Sequence, residues 1–286
     1  MDLLAIKKIG VVGSGLMGNG IAQIVAAAGY GVVFCDISQQ NLDKGYKAIA
    51  ARLEKEVKNG KRSSASKEEL LSKIKATVNY EDLADIDYLY EAVFEEIRTK
   101  KELYGKISKI CQPACIFSTN TSGLSISEIA SVTDRPDKFI GTHFFNPVPV
   151  MKLLEIIRGY DTSDATYETA VAVGKSIGKE IITVAEAPLF CVNRILVPML
   201  NEAMFVLSEG IATKEDIDKG MALGANHPIG PLALADLVGL DTLLQVIKTL
   251  YEETGDSKYR PCPLLVKMVR AGKYGRKNGK GFYAYN

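Results

Sequence analysis

Lys8-Ile9-Gly10-Val11-Val12-Gly13-Ser14-Gly15-Leu16-Met17-Gly18 is the stretch on which the fold turns. A short apolar run reads as a buried strand and passes directly into a Gly-x-Gly-x-x-Gly element. The residues from Leu16 to Ala28 then follow a helical pattern ended by Gly29. Alone, the glycine spacing is a weak signal, because a glycine-rich turn can be merely a turn. After a strand and before a helix, it has the form of a dinucleotide-binding loop. Gly13 permits the tight turn, Gly15 lets backbone approach a pyrophosphate, and Gly18 allows helix and strand to pack closely. Leu16 and Met17 open the helix, whose first N–H groups and partial positive charge suit phosphate. Gly31 to Asp36 reads as a second strand, and Asp36 stands 18 residues past Gly18. A carboxylate there would bond a ribose 2′-hydroxyl and repel a 2′-phosphate. No arginine follows in Ile37-Ser38-Gln39-Gln40, so the pattern favours NAD(H) over NADP(H).

Outward from this loop, apolar runs and helical stretches alternate. Further strands are expected at Asp87 to Val93, Cys115 to Thr119, Phe139 to His143, Leu153 to Ile157 and Glu180 to Val184. Such alternation argues for βαβ units and a parallel sheet. Between the second strand and Asp87 lie about fifty mostly polar residues, broken near Asn59-Gly60. They are too many for one crossover helix and read as a protruding pair of helices. Near Glu186-Ala187-Pro188 the texture changes. Helical patterns follow at Val192 to Ser208, Lys214 to Ala222, Leu232 to Leu237, Thr242 to Glu253 and Pro263 to Ala271. Their apolar residues recur at helical spacing. The expected fold is α/β, with a Rossmann-type N-terminal domain over residues 1–186 carrying a helical-hairpin insertion. An all-α domain over 187–286 follows.

Composition narrows the function. The chain has 286 residues, 47% of them apolar and 24% charged, with 35 basic against 34 acidic side chains. That is an ordinary globular mix, not a disordered or fibrous one. A net charge of +1 gives no global attraction to nucleic acid or to an anionic membrane. No apolar stretch approaches the ~18 residues of a membrane span. The start, Met1 to Lys8, has an acid where a signal peptide would be basic. Cys35, Cys111, Cys115, Cys191 and Cys262 are odd in number and scattered, which suits reduced thiols in the cytoplasm rather than disulfides or a zinc cage. Cys191 reads as a small core residue. Only His143 and His227 can supply imidazole chemistry, and the proline and glycine around His227 explain that position as a turn.

Four segments carry a resemblance. They are Phe117-Ser118-Thr119-Asn120-Thr121-Ser122, Gly141-Thr142-His143-Phe144-Phe145-Asn146-Pro147, Met151 to Ile157, and Glu186 to Pro198, with Gly279-Lys280-Gly281-Phe282-Tyr283 closing the chain. Together these resemble the 3-hydroxyacyl-CoA dehydrogenase family over essentially the whole length. At this length, without a fused hydratase, the chain is most similar to bacterial members acting on the four-carbon substrate. The resemblance implies interconversion of (S)-3-hydroxybutyryl-CoA and acetoacetyl-CoA with NAD(H), and a homodimer formed through the C-terminal domain. Longer 3-hydroxyacyl chains, and a non-catalytic dinucleotide binder on the same fold, are the alternatives. The family usually has Asp where Glu186 stands and Gly where Leu189 stands.

The residues also speak for themselves. Hydride transfer at a carbinol carbon needs a proton moved on its oxygen, and imidazole suits that near neutral pH. His143 ends an expected strand at the edge of a parallel sheet where ligands bind. Glu155 follows twelve residues later on a second strand, a spacing that lets the two strands pair. Its carboxylate would fix the imidazole tautomer and stabilise the cation. Ser122 would either cap a helix or, as the resemblance implies, contact substrate. Asn193 would either cap or donate to charge developing on the substrate oxygen. Glu95, Lys100 and Asn120 match family positions on the cofactor side; an exposed helix start explains Glu95 and Lys100 equally. Arg52, Lys55 and Lys58 recur on one helix face, where the resemblance implies a lip for the CoA nucleotide. A solvated helix face explains them as well.

Overall fold

The computed structural model describes residues 6–285; the first five residues of the stretch read for a presequence, Met1 to Ala5, lie outside them. The chain divides into two compact units, Met1–Ala187 and Pro188–Asn286. Among the described residues no helix is long and apolar enough to cross a membrane.

The first unit is built on β1 (Lys8–Val12), β2 (Gly31–Cys35), β3 (Ile74–Thr77), β4 (Tyr88–Glu91), β5 (Ile116–Thr119), β6 (Phe139–Phe144), β7 (Leu153–Arg158) and β8 (Glu180–Ala185). They form one sheet in the order β3-β2-β1-β4-β5-β6-β7-β8. Its first six strands have the Rossmann order: β1 and β4 run parallel, and the order in which strands are added reverses between them. Residues of β1, β2, β4, β5 and β6 are buried on both faces, as a parallel sheet covered by helices requires. α1 (Leu16–Ala27) lays Ile21, Ala22, Val25 and Ala26 on the sheet. α2 (Gln39–Lys58) starts at a Ser38 cap, whose hydroxyl accepts from the Asn41 N–H, and buries Leu42, Ile49 and Leu53.

The expected helix pair is present as α2 and α3 (Ser64–Ser72). Ile49, Leu53 and Leu70 of that pair lie in the same apolar cluster as β1 and α1. The sequence reading left out β3, because only Ile74 of Ile-Lys-Ala-Thr is buried and no apolar run marks it. A second difference lies at β6 and β7, which pair antiparallel within the otherwise parallel sheet.

α4 (Ile97–Ile107), the short α5 (Ile126–Ala130) and α6 (Asp164–Ser176) complete the first unit. The second unit contains α7 (Val192–Ser208), α8 (Lys214–Gly224), α9 (Pro231–Val238), α10 (Leu240–Thr254) and α11 (Pro263–Arg270), close to the expected spans. Its core joins Leu200, Met204, Leu232, Leu240, Ile247 and Leu265, with Phe282 from the chain's last segment. Cys191 is exposed at the start of α7 rather than buried, a correction to its reading from residue type. The other four thiols are buried.

Candidate active site

The glycine loop leaves β1 at Val12. Gly13 has φ +97°, and a Cβ there would sit 2.5 Å from the Ala92 carbonyl oxygen; one on Gly18 would meet the Gly13 carbonyl at 1.7 Å. A Cβ on Gly15 meets nothing within 4 Å. Two of the glycines are therefore demanded by the turn itself, while the third keeps a space open. That space adjoins a cavity of about 700 Å³ lined by Gly13, Ser14, Gly15, Leu16, Asp36, Ile37, Tyr80 and Phe94 among others. Its size suits a nucleotide.

Asp36 is held at the mouth of this cavity. Its Oδ2 accepts from the Ser14 N–H at 2.8 Å and the Ser14 hydroxyl at 2.7 Å, and its Oδ1 from the Ser38 N–H at 3.0 Å. Ser14 was not singled out from sequence; it occupies a variable position of the glycine motif, and only the fold brings it to Asp36. Burial, with the Asp36 carboxylate nearby, pushes both the Tyr80 phenol and the Cys35 thiol up to about 12. Leu16 is exposed at the helix start, and Met17 packs on the core beneath.

Register carries the site across the sheet. Val12 pairs with Glu91, Glu91 with Thr119 and Thr119 with Gly141, so β1, β4 and β5 end in one row while β6 runs on to Phe144. His143 stands two residues beyond that row. Across the antiparallel pair it faces Glu155 directly. Its Nδ1 lies 2.6 Å from Glu155 Oε2, with His143 5% exposed and Glu155 fully buried. Phe145 packs on the imidazole at 4.5 Å between ring centroids.

The loop after β5 is tied to the same row. The Asn120 N–H donates to the Glu91 carbonyl at 2.7 Å, and Asn120 Oδ1 accepts from Phe144 N–H at 2.9 Å. Ser122 is exposed, and its N–H donates to Glu95 Oε1 at 2.6 Å. Lys100 is fully buried, its ammonium 2.6 Å from Glu91 and 3.4 Å from Glu95. Sequence reasoning missed Glu91. Its signal was a lone acid inside the apolar run Tyr88-Leu89-Tyr90-Glu91-Ala92-Val93. Glu186, longer than the usual Asp, accepts from the Ser125 hydroxyl at 2.5 Å and from the hydroxyl and N–H of Ser127.

On α2, the Arg52 guanidinium donates to Gln23 Oε1 and Asn19 Oδ1, each at 2.7 Å, bracing α2 on α1. Lys55 and Lys58 are exposed. In the second unit Asn193 is half-buried in the first turn of α7, and Arg194 stacks on Tyr259 at 4.4 Å. Just before α7, Leu189 and Phe190 have φ of 61° and 57°. His227 lies in the loop after α8, its N–H bonded to the Met221 carbonyl.

Residues 8–187 match the family described as 3-hydroxyacyl-CoA dehydrogenase, NAD binding domain, and residues 190–285 match its C-terminal domain. A 3-hydroxybutyryl-CoA dehydrogenase of Clostridioides difficile is 50% identical over 279 residues, covering 98% of this chain and 99% of its own. The human mitochondrial hydroxyacyl-coenzyme A dehydrogenase is 41% identical over 289 residues, covering 99% of this chain and 92% of its own. Among solved structures, (S)-3-hydroxybutyryl-CoA dehydrogenase from Ralstonia eutropha has a TM-score of 0.97 at 50% identity, covering 99% of this chain and 100% of its own. With both domains matched in order, the chain belongs to the 3-hydroxyacyl-CoA dehydrogenase family and is an NAD-dependent enzyme.

Proposed function

We propose that this enzyme interconverts (S)-3-hydroxybutyryl-CoA and acetoacetyl-CoA, with His143 as the general acid and base. The observation that carries the reading is the buried 2.6 Å contact between His143 Nδ1 and Glu155, at the sheet edge that begins at the glycine loop. The residues fit NAD(H): open space over Gly15 for the pyrophosphate, and Asp36 steadied for a ribose hydroxyl. When bound, the cofactor supplies the hydride in one direction and accepts it in the other.

The protein's own groups handle the proton and the orientation. With the Nδ1 proton held on Glu155, Nε2 is the nitrogen that exchanges a proton with the substrate oxygen. In reduction His143 gives that proton, and Glu155 stabilises the imidazolium when the reaction runs as oxidation. Ser122, on a loop held by Glu95, contacts the substrate, and Asn193 donates to charge building on its oxygen. Glu95, Lys100 and Asn120 serve the cofactor side. Lys55 and Lys58 take the CoA phosphates, and Arg52 supports that helix face.

We assign the active form to a cytoplasmic homodimer. The family resemblance supports this reading, and Ile195, Ile211, Leu223 and Leu237 are exposed apolar side chains of the second unit available to such a contact. Light scattering at micromolar concentration should give twice the chain mass of 31.1 kDa; the single-chain mass would refute the dimer. The activity is tested by NADH oxidation with acetoacetyl-CoA and with acyl chains of four to ten carbons. Absence of turnover, or a preference for free acetoacetate, would sink the reading.

A further inference from the structure

Glu91 ends β4 and has no exposed surface, and neither has Lys100 on α4. Three donors hold the Glu91 carboxylate: the Val93 N–H at 2.7 Å and the Lys100 ammonium at 2.6 Å on Oε1, and the Thr119 hydroxyl at 2.6 Å on Oε2. Beyond Lys100 lies Glu95, which is divided between two tasks. Its Oε2 faces the ammonium at 3.4 Å, while its Oε1 accepts the Thr121 hydroxyl and the Ser122 N–H, both at 2.6 Å.

A buried ammonium draws in whichever carboxylate can reach it, because attraction rises steeply as the surroundings lose water. Glu95 is the candidate at the surface, with 43% of its side chain exposed. Glu91 is fixed and already in contact. We propose that Glu91 is a positioning residue for the substrate loop: by keeping the Lys100 ammonium, it leaves Glu95 to hold Thr121 and Ser122. This rests on the reading of Ser122 as a substrate contact. Without the charge of Glu91, Lys100 pulls Glu95 onto itself, and the Ser122 N–H loses its acceptor.

The test is amide hydrogen exchange of segment 119–124 in the full chain, alongside turnover of acetoacetyl-CoA. Glu91→Gln keeps the shape and, through its amide oxygen, the bonds from Val93 and Lys100; it removes the charge and reverses the Thr119 contact, the amide nitrogen now donating to the hydroxyl. It should speed exchange of the segment roughly tenfold and lower kcat by about tenfold or more, since small misplacements are costly at a reacting centre. Adding Lys100→Gln removes the pull on Glu95, so exchange in the double variant should return to within about twofold of the parent. Unchanged exchange in Glu91→Gln, or no recovery in the double variant, overturns the proposal. Should Glu91→Gln fail to fold, Glu95→Ala, which removes the acceptor outright from a half-exposed side chain, takes over. Faster exchange there supports the hold on Ser122, and unchanged exchange overturns it. Exchange needs no substrate, so a parent enzyme inactive on acetoacetyl-CoA would refute the functional reading separately from this relay.

Discussion

At His143 an imidazole meets a carboxylate that has lost all contact with water, and no other described histidine has a carboxylate partner of this kind. His143→Gln removes the proton carrier, and kcat should fall roughly 10²–10⁴-fold while the NADH dissociation constant, read by fluorescence, stays put. Near-normal kcat would refute the assignment. Asn193→Ala should cost on the order of 10²–10³-fold at most, the range for a single donor to a developing oxyanion. Leu189 poses a different question, because two effects oppose each other there. Its left-handed φ of 61° costs about 1–2 kcal/mol relative to glycine. Yet the side chain is 3% exposed in the core of the second unit, and deleting a buried leucine costs about 2–5 kcal/mol. Leu189→Gly should therefore destabilise the chain by about 2 kcal/mol in denaturant unfolding; a gain in stability would show that strain outweighs packing. The departure from glycine was visible in the sequence. Its compensation was not, since Leu189 is buried in a cluster assembled from residues as distant in sequence as Leu244 and Phe282.

At the level of elements, the strand–loop–helix unit of β1 and α1 separates two kinds of glycine. Gly18→Ala drives a methyl group into the backbone of Gly13, and something must move. That variant should lose both thermal stability and NADH affinity. Gly15→Ala finds open space, so its melting temperature should match the parent's while NADH binding weakens at least about tenfold, the methyl group occupying room the pyrophosphate needs. Equal losses of stability in both variants would contradict this division. Periodicity and glycine spacing made these elements legible, and they made most of the sheet legible too. β3 was not, because an edge strand with one buried residue has no pattern to read. The antiparallel turn of β6 into β7 also escaped: twelve residues between His143 and Glu155 said that the strands could pair, but not in which direction. Glu91 and Ser14 escaped because their partners, Lys100 and Asp36, are assembled only by the fold.

On the scale of the molecule, the chain divides into two compact units, Met1–Ala187 and Pro188–Asn286. What composition could not convey is how the second unit closes. Fully buried Asp236 on α9 accepts from the N–H groups of Phe282 and Tyr283 and from the Tyr285 hydroxyl, at 3.0, 2.9 and 3.0 Å. Gly281 fits only because it has no Cβ, which would lie 2.0 Å from the Asp236 carboxylate. Asp236→Ala strands three donors and should destabilise the second unit by about 3 kcal/mol or more. Hydrogen exchange should register this in residues 188–285 and leave the sheet of the first unit protected; a uniform loss over both units would contradict the assignment.

The Asp236 clasp has a consequence for how the protein is made. Phe282 joins the core begun by Leu200 and Met204, so that core is complete only once residues 282–285 have left the ribosome. The glycine loop and its sheet are already complete by then and can fold during synthesis. A chain stalled just short of Gly281 would pair a finished nucleotide site with a sticky, unsealed helical half, the kind of product that chaperones and proteases recognise.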